Sequence, residues 1–193
     1  FHAANTGVSA IEAALSPSEE ASARLERVVD ACSRLNEDVL RIDLIGLREG
    51  GRVDGAFRGP VGMDPVWVVP GETVLLESVT RTLGLGHPLT QGTADSNEIW
   101  IEIDVGMRPA PDAGSRSIGG SGAIASDGVI DPWSKFLDVW LLDREGNRIE
   151  ARNPEDIFVP LYNHQIPPGA ADLTHYRIDV PSDASGELVI RGR

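Results

Sequence analysis

The clearest strand in the sequence is Ile99-Trp100-Ile101-Glu102-Ile103-Asp104-Val105. Its odd positions are all β-branched and apolar, while Glu102 and Asp104 fall on the opposite side. A half-buried antiparallel strand requires this period of two, because successive side chains of a strand lie on opposite faces of the sheet. The stretch therefore predicts a mainly β protein.

Segments on both sides of this stretch have the same period and predict further strands. Together with the segment that contains the first stretch, the predicted strands are Val39–Arg48, Thr73–Thr82, Glu98–Val105, Phe136–Asp143, Leu173–Val180 and Glu187–Arg191. Turn chemistry at Ser126-Asp127-Gly128 and between Asp143 and Asn147 predicts two hairpins. No helix-length pattern separates the strands, so we expect seven to nine antiparallel strands packed as an immunoglobulin-like β-sandwich over residues 38–193.

The first 37 residues follow a different pattern and predict a helical segment before the sandwich. Ser16-Pro17-Ser18-Glu19 combines an N-cap serine, a proline at the first helical position and a capping acid, so a helix is expected from Pro17 to about residue 36. A shorter helix is expected over roughly Ser9 to Leu15. The apolar stripe of the main helix consists of Leu25, Val28, Val29, Cys32 and Leu35. We interpret Cys32 as a small core residue rather than a reactive thiol.

Composition and charge narrow the classes of function. The 193 residues are 41% hydrophobic, enough for one domain with a buried core. Thirty acidic and seventeen basic residues give a formal charge of -13, which has the wrong sign for nucleic acid. With one cysteine, the chain can form neither an internal disulfide nor a CxxCH haem-attachment site. No run of eighteen apolar residues predicts a membrane span, and we expect the chain to be a piece of a longer protein.

The usual catalytic motifs are absent from the sequence. The four histidines are His2, His87, His164 and His175, and no two have the spacing of a local zinc site. There is no GxSxG elbow and no Walker loop, and Gly84-Leu85-Gly86 lacks the third glycine of a dinucleotide fingerprint. We therefore expect a protein that is not an enzyme.

The densest polar segment, Gly84 to Glu98, is the candidate for a site. Asp95, Asn97 and Glu98 offer oxygen ligands that suit calcium, but an Asx-turn before the next strand explains the same residues more simply. Pro88 holds His87 in an extended conformation, and the ordinary role of such a loop histidine is a backbone hydrogen bond. Two further long loops, Gly50–Gly71 and Gly106–Gly122, also offer room for function.

Several runs resemble a β-domain attached to multihaem c-type cytochromes of the cytochrome c554-like family. These are Thr80–Gly92 with its Gly86-His87 pair, the tryptophan strand Glu98–Ile103, Asn163–Gly169 with His175-Tyr176 and Val180-Pro181, and the opening Phe1–Thr6. The opening run is similar to the stretch that follows the last haem-binding motif in such proteins. The chain departs from the family where the CxxCH motif would stand.

The resemblance implies an accessory, non-catalytic β-sandwich of a periplasmic or extracellular electron-transfer cytochrome. Its cofactor would be haem c, carried by another segment or chain that is also its partner. In proteins of this kind a histidine at the Gly-His position reaches a haem iron as an axial ligand, and this role carries over to His87. His2, near the expected junction with the haem-bearing part, is the competing ligand.

Two classes of function remain open from the sequence. One is the haem-packing domain, and the other is a free-standing extracellular adhesion module that binds calcium or carbohydrate. We further expect Asn163–Gly169, with Tyr162 and His164, to lie near the Gly84–Gly92 loop or at the contact with the partner, because Pro167-Pro168 forces the chain to leave its strand.

Overall fold

The computed structural model describes residues 39–63, 65–89, 94, 98–149 and 153–193. The chain divides into two compact units, Phe1–Arg41 and Ile42–Arg193. The predicted helices of the first 37 residues lie outside the described residues, as does Cys32. What is described is mainly β, as the sequence predicts, and every strand pair with a recorded register is antiparallel.

One sheet has four strands in the order β10-β3-β1-β2. Their bounds are β1 Leu40–Glu49, β2 Phe57–Arg58, β3 Thr73–Thr82 and β10 Ala171–Asp179. The longest pairing joins β3 to β10, from Thr73 opposite Asp179 to Arg81 opposite Ala171. This pairing places the end of β3, and the loop that follows it, beside the segment that precedes β10.

The remaining strands form a three-stranded sheet, β11-β5-β6, and two strand pairs, β4-β7 and β8-β9. Their bounds are β4 Trp100–Ile101, β5 Ile103–Arg108, β6 Arg116–Ser121, β7 Lys135–Phe136, β8 Val139–Leu142, β9 Val159–Asn163 and β11 Glu187–Gly192. A one-turn 3-10 helix, Pro154–Asp156, precedes β9. The alternation of burial is confirmed, because Ile101, Ile103 and Val105 are all at most 3% exposed. The predicted single strand Glu98–Val105 is divided at Glu102, so that β4 pairs with β7 and β5 pairs with β6 and β11.

The buried core contains side chains from both larger sheets. Val74 and Leu76 of β3 belong to the same apolar cluster as Ile101, Ile103 and Leu137, and each of these five is at most 2% exposed. This shared cluster is what a two-layer β protein needs. The sandwich closure and its immunoglobulin-like type stay predictions.

Three strands lie where none was predicted, and they correct the sequence-based boundaries. The segment Gly106–Gly122, interpreted as a long loop, contains the end of β5 and all of β6, which pair with each other. The second long loop, Gly50–Gly71, contains β2. The pair β8-β9 brings Val159–Asn163 into a strand despite Pro160.

Both predicted hairpin turns are present. Around Gly128, the Ala125 amide donates to the Val129 carbonyl at 2.8 Å. Around Gly146, the Asp143 amide donates to the Asn147 carbonyl at 3.0 Å. Gly128 has φ of 85° and Gly146 has φ of 87°, a region that glycine adopts without a steric penalty. Within the described part of the chain, no helix is long and apolar enough to cross a membrane.

Candidate functional site

His87 is exposed on the loop that follows β3. Its Nδ1 lies 2.9 Å from the carbonyl oxygen of Pro88. A carbonyl oxygen only accepts hydrogen bonds, so Nδ1 must carry the proton and donate it. The lone pair of the neutral ring is therefore on Nε2, which is the arrangement of a histidine that ligates a metal through Nε2.

The His87 loop is held by a backbone bridge to the segment before β10. The Leu89 amide donates to the Ile166 carbonyl at 2.9 Å, and the Ile166 amide donates to the Leu89 carbonyl at 3.0 Å. Nearby, the buried Thr82 hydroxyl donates to the Pro167 carbonyl at 2.7 Å. The prediction that Asn163–Gly169 lies near the Gly84–Gly92 loop is thus confirmed for the described residues.

Four polar side chains from three strands and one loop meet beside this bridge, and we name them the His164 cluster: Lys135, Tyr162, His164 and Asp172. The Tyr162 hydroxyl lies 2.7 Å from His164 Nδ1, and the Lys135 ammonium lies 3.1 Å from the same nitrogen. Lys135 Nζ also forms an ion pair with Asp172 Oδ2 at 2.7 Å. Lys135, His164 and Asp172 line a cleft of about 240 Å³, together with Ile166.

Lys135 determines the tautomer of His164. An ammonium group only donates hydrogen bonds, so His164 Nδ1 must be an unprotonated acceptor and the ring proton is on Nε2. The neutral ring of His164 therefore offers no Nε2 lone pair to a metal. The Tyr162 hydroxyl, 2.7 Å from the same Nδ1, approaches over the face of the imidazole, because the two rings are stacked.

Trp140 of β8 and Asp138, the residue before β8, extend the His164 cluster. The ring centroids of Tyr162 and His164 are 4.0 Å apart in a stacked arrangement, and those of Trp140 and Tyr162 are 5.7 Å apart. Trp140 Nε1 donates to Asp138 Oδ2 at 3.2 Å, and Asp138 is only 2% exposed. Burial raises the pKa of Tyr162, and the carboxylates of Asp138 and Asp172 raise it further.

His175, on β10, belongs to a separate ion-pair group on the four-stranded sheet. Its Nε2 lies 3.3 Å from Glu77 Oε1, and Arg48 Nε lies 2.5 Å from the same oxygen. A carboxylate only accepts, so Nε2 of His175 carries a proton. The hydrogen bond from Arg48 is the main cause that holds the pKa of Glu77 below its ordinary range, although burial opposes it.

Of the three calcium candidates, only Glu98 lies in the described part of the chain. Glu98 is exposed, and its Oε1 lies 3.6 Å from Arg148 Nη2. Asp95, Asn97 and the alternative iron ligand His2 lie outside the described residues. Within the described ranges, no group of three or more His, Cys, Asp or Glu side chains has the geometry of a metal site.

Lys135, Asp138 and Asp172 were not identified as site residues from the sequence. Lys135 is the only lysine of the chain, and that count was a signal that could have drawn attention to it. Asp138 and Asp172 are two of thirty acidic residues, and nothing in the sequence distinguishes them from the rest. Their meeting depends on the pairing of β8 with β9 and of β3 with β10, which no local motif encodes.

Comparison with known proteins adds no relative: no protein-family model, no curated protein and no solved structure matches this chain. The resemblance to the cytochrome family therefore stays a prediction from the sequence.

Proposed function

We propose that this chain is a non-catalytic β-domain of a multihaem c-type cytochrome assembly. It packs on a haem carried by another segment or chain and supplies His87 as an axial ligand through Nε2. On the same proposal, the assembly transfers electrons in the periplasm or outside the cell. The observation that carries the proposal is the hydrogen bond from His87 Nδ1 to the Pro88 carbonyl, because it leaves Nε2 as the free ligand atom.

A comparison of the three described histidines favours His87. In their neutral forms His164 and His175 both carry the proton on Nε2, fixed by Lys135 and Glu77 respectively. Only His87 among the described histidines combines exposure with an unprotonated Nε2. An axial ligand must present the Nε2 lone pair to the iron, so His87 has the required tautomer and His164 and His175 do not.

The loop around His87 leaves room for a flat cofactor. Gly86 is exposed, and a Cβ added to it would meet no atom within 4 Å. The fold itself therefore does not require a glycine there, whereas close approach of a porphyrin edge would. Leu83, 48% exposed, adds an apolar side chain to the same loop.

The strand pair β8-β9 and its flank offer exposed apolar side chains to the haem-bearing partner. Phe158 is 56% exposed, Leu161 is 64% exposed and Trp140 is 39% exposed. Several large apolar side chains exposed on and beside one pair of strands are typical of protein interfaces. The backbone bridge between Leu89 and Ile166 ties this side of the protein to the His87 loop, so one partner can cover both.

The test is a His87→Ala variant of the whole cytochrome assembly. We expect loss of one low-spin haem signal in its electron paramagnetic resonance spectrum, because the iron loses an imidazole ligand. His87→Met is the rescue variant: a thioether can replace the imidazole, so the low-spin signal returns and the reduction potential of that haem rises. His175→Gln is the matched control and leaves all haem signals unchanged.

An unchanged spectrum and unchanged potentials in His87→Ala would reject ligation by this residue. The native particle also tests the class of function, through its mass and a haem stain. A particle without haem, whose thermal unfolding depends on calcium, would support the adhesion module in place of the cytochrome domain.

A further inference from the structure

Two edge strands, β10 of the four-stranded sheet and β6 of the three-stranded sheet, border one cleft. In the strand orders β10-β3-β1-β2 and β11-β5-β6, each of the two has a neighbour on one side only. The cleft has a volume of about 480 Å³, and its walls include Ile118–Ser121 of β6 and His175–Asp179 of β10. Within the described part of the chain, neither sheet continues into this cleft.

The hydrogen bonds between β10 and β3 show which backbone groups of β10 point away from β3. Directly after β10, the Val180 amide donates to the Glu72 carbonyl at 2.9 Å. Backbone groups alternate in direction along a strand, so the even-numbered residues of β10 pair with β3 and the odd-numbered residues point to the open edge. Among the described residues, the amides and carbonyls of His175, Arg177 and Asp179 therefore have no strand partner.

The interior of the cleft is apolar and has unfilled space. Ile103, Val105 and Ile178 line it, and each is at most 5% exposed. Gly119 of β6 lies opposite Val105, so a side chain at this position would share the face of Val105. A Cβ added to Gly119 would meet no atom within 4 Å, which leaves room there for a side chain of another molecule.

Trp133 and Asp131 line the same cleft and suit a cationic side chain. Trp133 is 89% exposed, and its amide donates to Asp131 Oδ1 at 3.0 Å, so a tight turn holds the two residues together. An indole face and a carboxylate both attract a lysine or arginine side chain. The net charge of -13 favours a basic partner and opposes the docking of a second copy of this chain.

We propose that the open edge of β10 binds an extended basic peptide as an added strand. The peptide backbone pairs with the odd-numbered residues of β10, and its apolar side chains lie in the cleft against Ile178. A lysine or arginine of the peptide contacts Trp133 and Asp131. Main-chain hydrogen bonds supply affinity in this mode of recognition, and pockets for alternate side chains supply specificity. His87 does not line this cleft, so the inference is independent of the haem proposal.

The test measures binding of a fluorescein-labelled peptide of about six residues, alternating valine and arginine, to the full chain by fluorescence anisotropy. Arg177→Pro removes an amide that points away from β3, so the pairing of β3 with β10 is retained and peptide affinity falls by about tenfold. Arg177→Ala is the matched control: it loses the same side chain but keeps the amide, and it binds the peptide at least as tightly as wild type.

A second pair of variants tests the contact with the basic side chain. Trp133→Ala removes the indole and weakens peptide binding by about tenfold. Trp67→Ala is the matched control, because Trp67 is also exposed, at 79%, but lines a different cleft. We expect its affinity for the peptide to equal that of wild type.

Modified peptides test the strand pairing with the wild-type protein. The amides of an extended peptide alternate in direction, so N-methylation of the valines blocks one edge and N-methylation of the arginines blocks the other. At least one of these two peptides loses binding, although both keep the charge and the side chains of the original. A peptide with glutamate in place of arginine binds about tenfold more weakly or worse.

Four outcomes overturn the proposal. They are full binding to a folded Arg177→Pro variant, full binding of both N-methylated peptides, unchanged affinity in Trp133→Ala, and a chain that dimerises through β10 and leaves the peptide unbound. Circular dichroism shows whether Arg177→Pro is folded. For an unfolded variant, the two N-methylated peptides decide, because they are measured on wild type.

Discussion

The imidazole rings of His87 and His164 hold opposite tautomers, each fixed by one neighbouring group. The carbonyl beside His87 Nδ1 leaves the lone pair of that neutral ring on Nε2, and the ammonium beside His164 Nδ1 leaves the ring proton on Nε2. The sequence allowed the first arrangement to be anticipated, because Pro88 follows His87 and brings a carbonyl within reach. It did not allow the second, because Lys135 and His164 are far apart in the chain.

At the scale of single residues, the ion pair between Arg48 and Glu77 gives a testable prediction. Glu77 is 7% exposed, so removal of its main partner leaves a buried carboxylate without its countercharge. We expect Arg48→Met to lower the free energy of unfolding by about 3 kcal/mol at pH 7, measured by urea denaturation. Arg52→Met, which removes an exposed pair with Asp54, is the control and costs less than about 1 kcal/mol.

The pH dependence of this pair has a definite sign. The pKa of Glu77 is lower in the folded chain than its ordinary value of about 4.3, so the pair stabilises the fold fully above that value. The contribution is lost as the pH falls through the lower, folded value. In Glu77→Gln this acid-side loss is smaller than in wild type, and an identical pH profile in the two proteins would contradict the assignment.

At the scale of elements, the sequence predicted strands well where one face is buried and poorly where neither face is. The alternation from Ile99 to Val105 is visible because a core lies on one side. The strand Val159–Asn163 was missed because its residues are mostly exposed and Pro160 argues against a strand. The strand Arg116–Ser121 was missed because Gly119 and Gly120 give it no pattern, and its order comes from pairing with β5.

The turn at Gly186, between β10 and β11, provides a prediction about an element. Gly186 has φ of 89°, and a Cβ built on it would lie 2.2 Å from the Arg108 carbonyl oxygen. We expect Gly186→Ala to reduce the free energy of unfolding by about 3 kcal/mol, since it combines an unfavourable φ with a backbone clash. The measurement is urea denaturation monitored by tryptophan fluorescence.

Gly128→Ala is the matched control for this variant. Gly128 has a similar φ of 85°, but a Cβ there would meet no atom within 4 Å. Only the backbone penalty remains, so we expect a cost of about 1 kcal/mol. Equal costs for the two variants would show that the Arg108 carbonyl moves aside.

At the scale of the whole molecule, the net charge of -13 opposes the compact state through repulsion among the carboxylates. Exposed ion pairs such as Arg52–Asp54 oppose this only weakly, because each contributes little in water. Composition alone predicted the net charge, because that quantity depends on the counts of charged residues and not on the fold.

Salt should therefore stabilise the protein. We expect the melting temperature, followed by circular dichroism, to rise when sodium chloride is increased from low to moderate concentration, since ions screen the long-range repulsion. A double variant, Asp112→Asn with Glu145→Gln, removes two exposed charges and should reduce this dependence on salt. A melting temperature that falls with salt would show that the ion pairs outweigh the net charge.

The pairing of β3 with β10 joins two segments that are synthesised at different times. Thr73–Thr82 emerges from the ribosome well before Ala171–Asp179, so β3 lacks this neighbour while the residues between them are synthesised. The bridge from Leu89 to Ile166 likewise forms only after Ile166 has been synthesised. The His87 loop thus takes its final form only after Ile166 has emerged, and a truncated chain that ends before Ile166 would present this loop without its bridge.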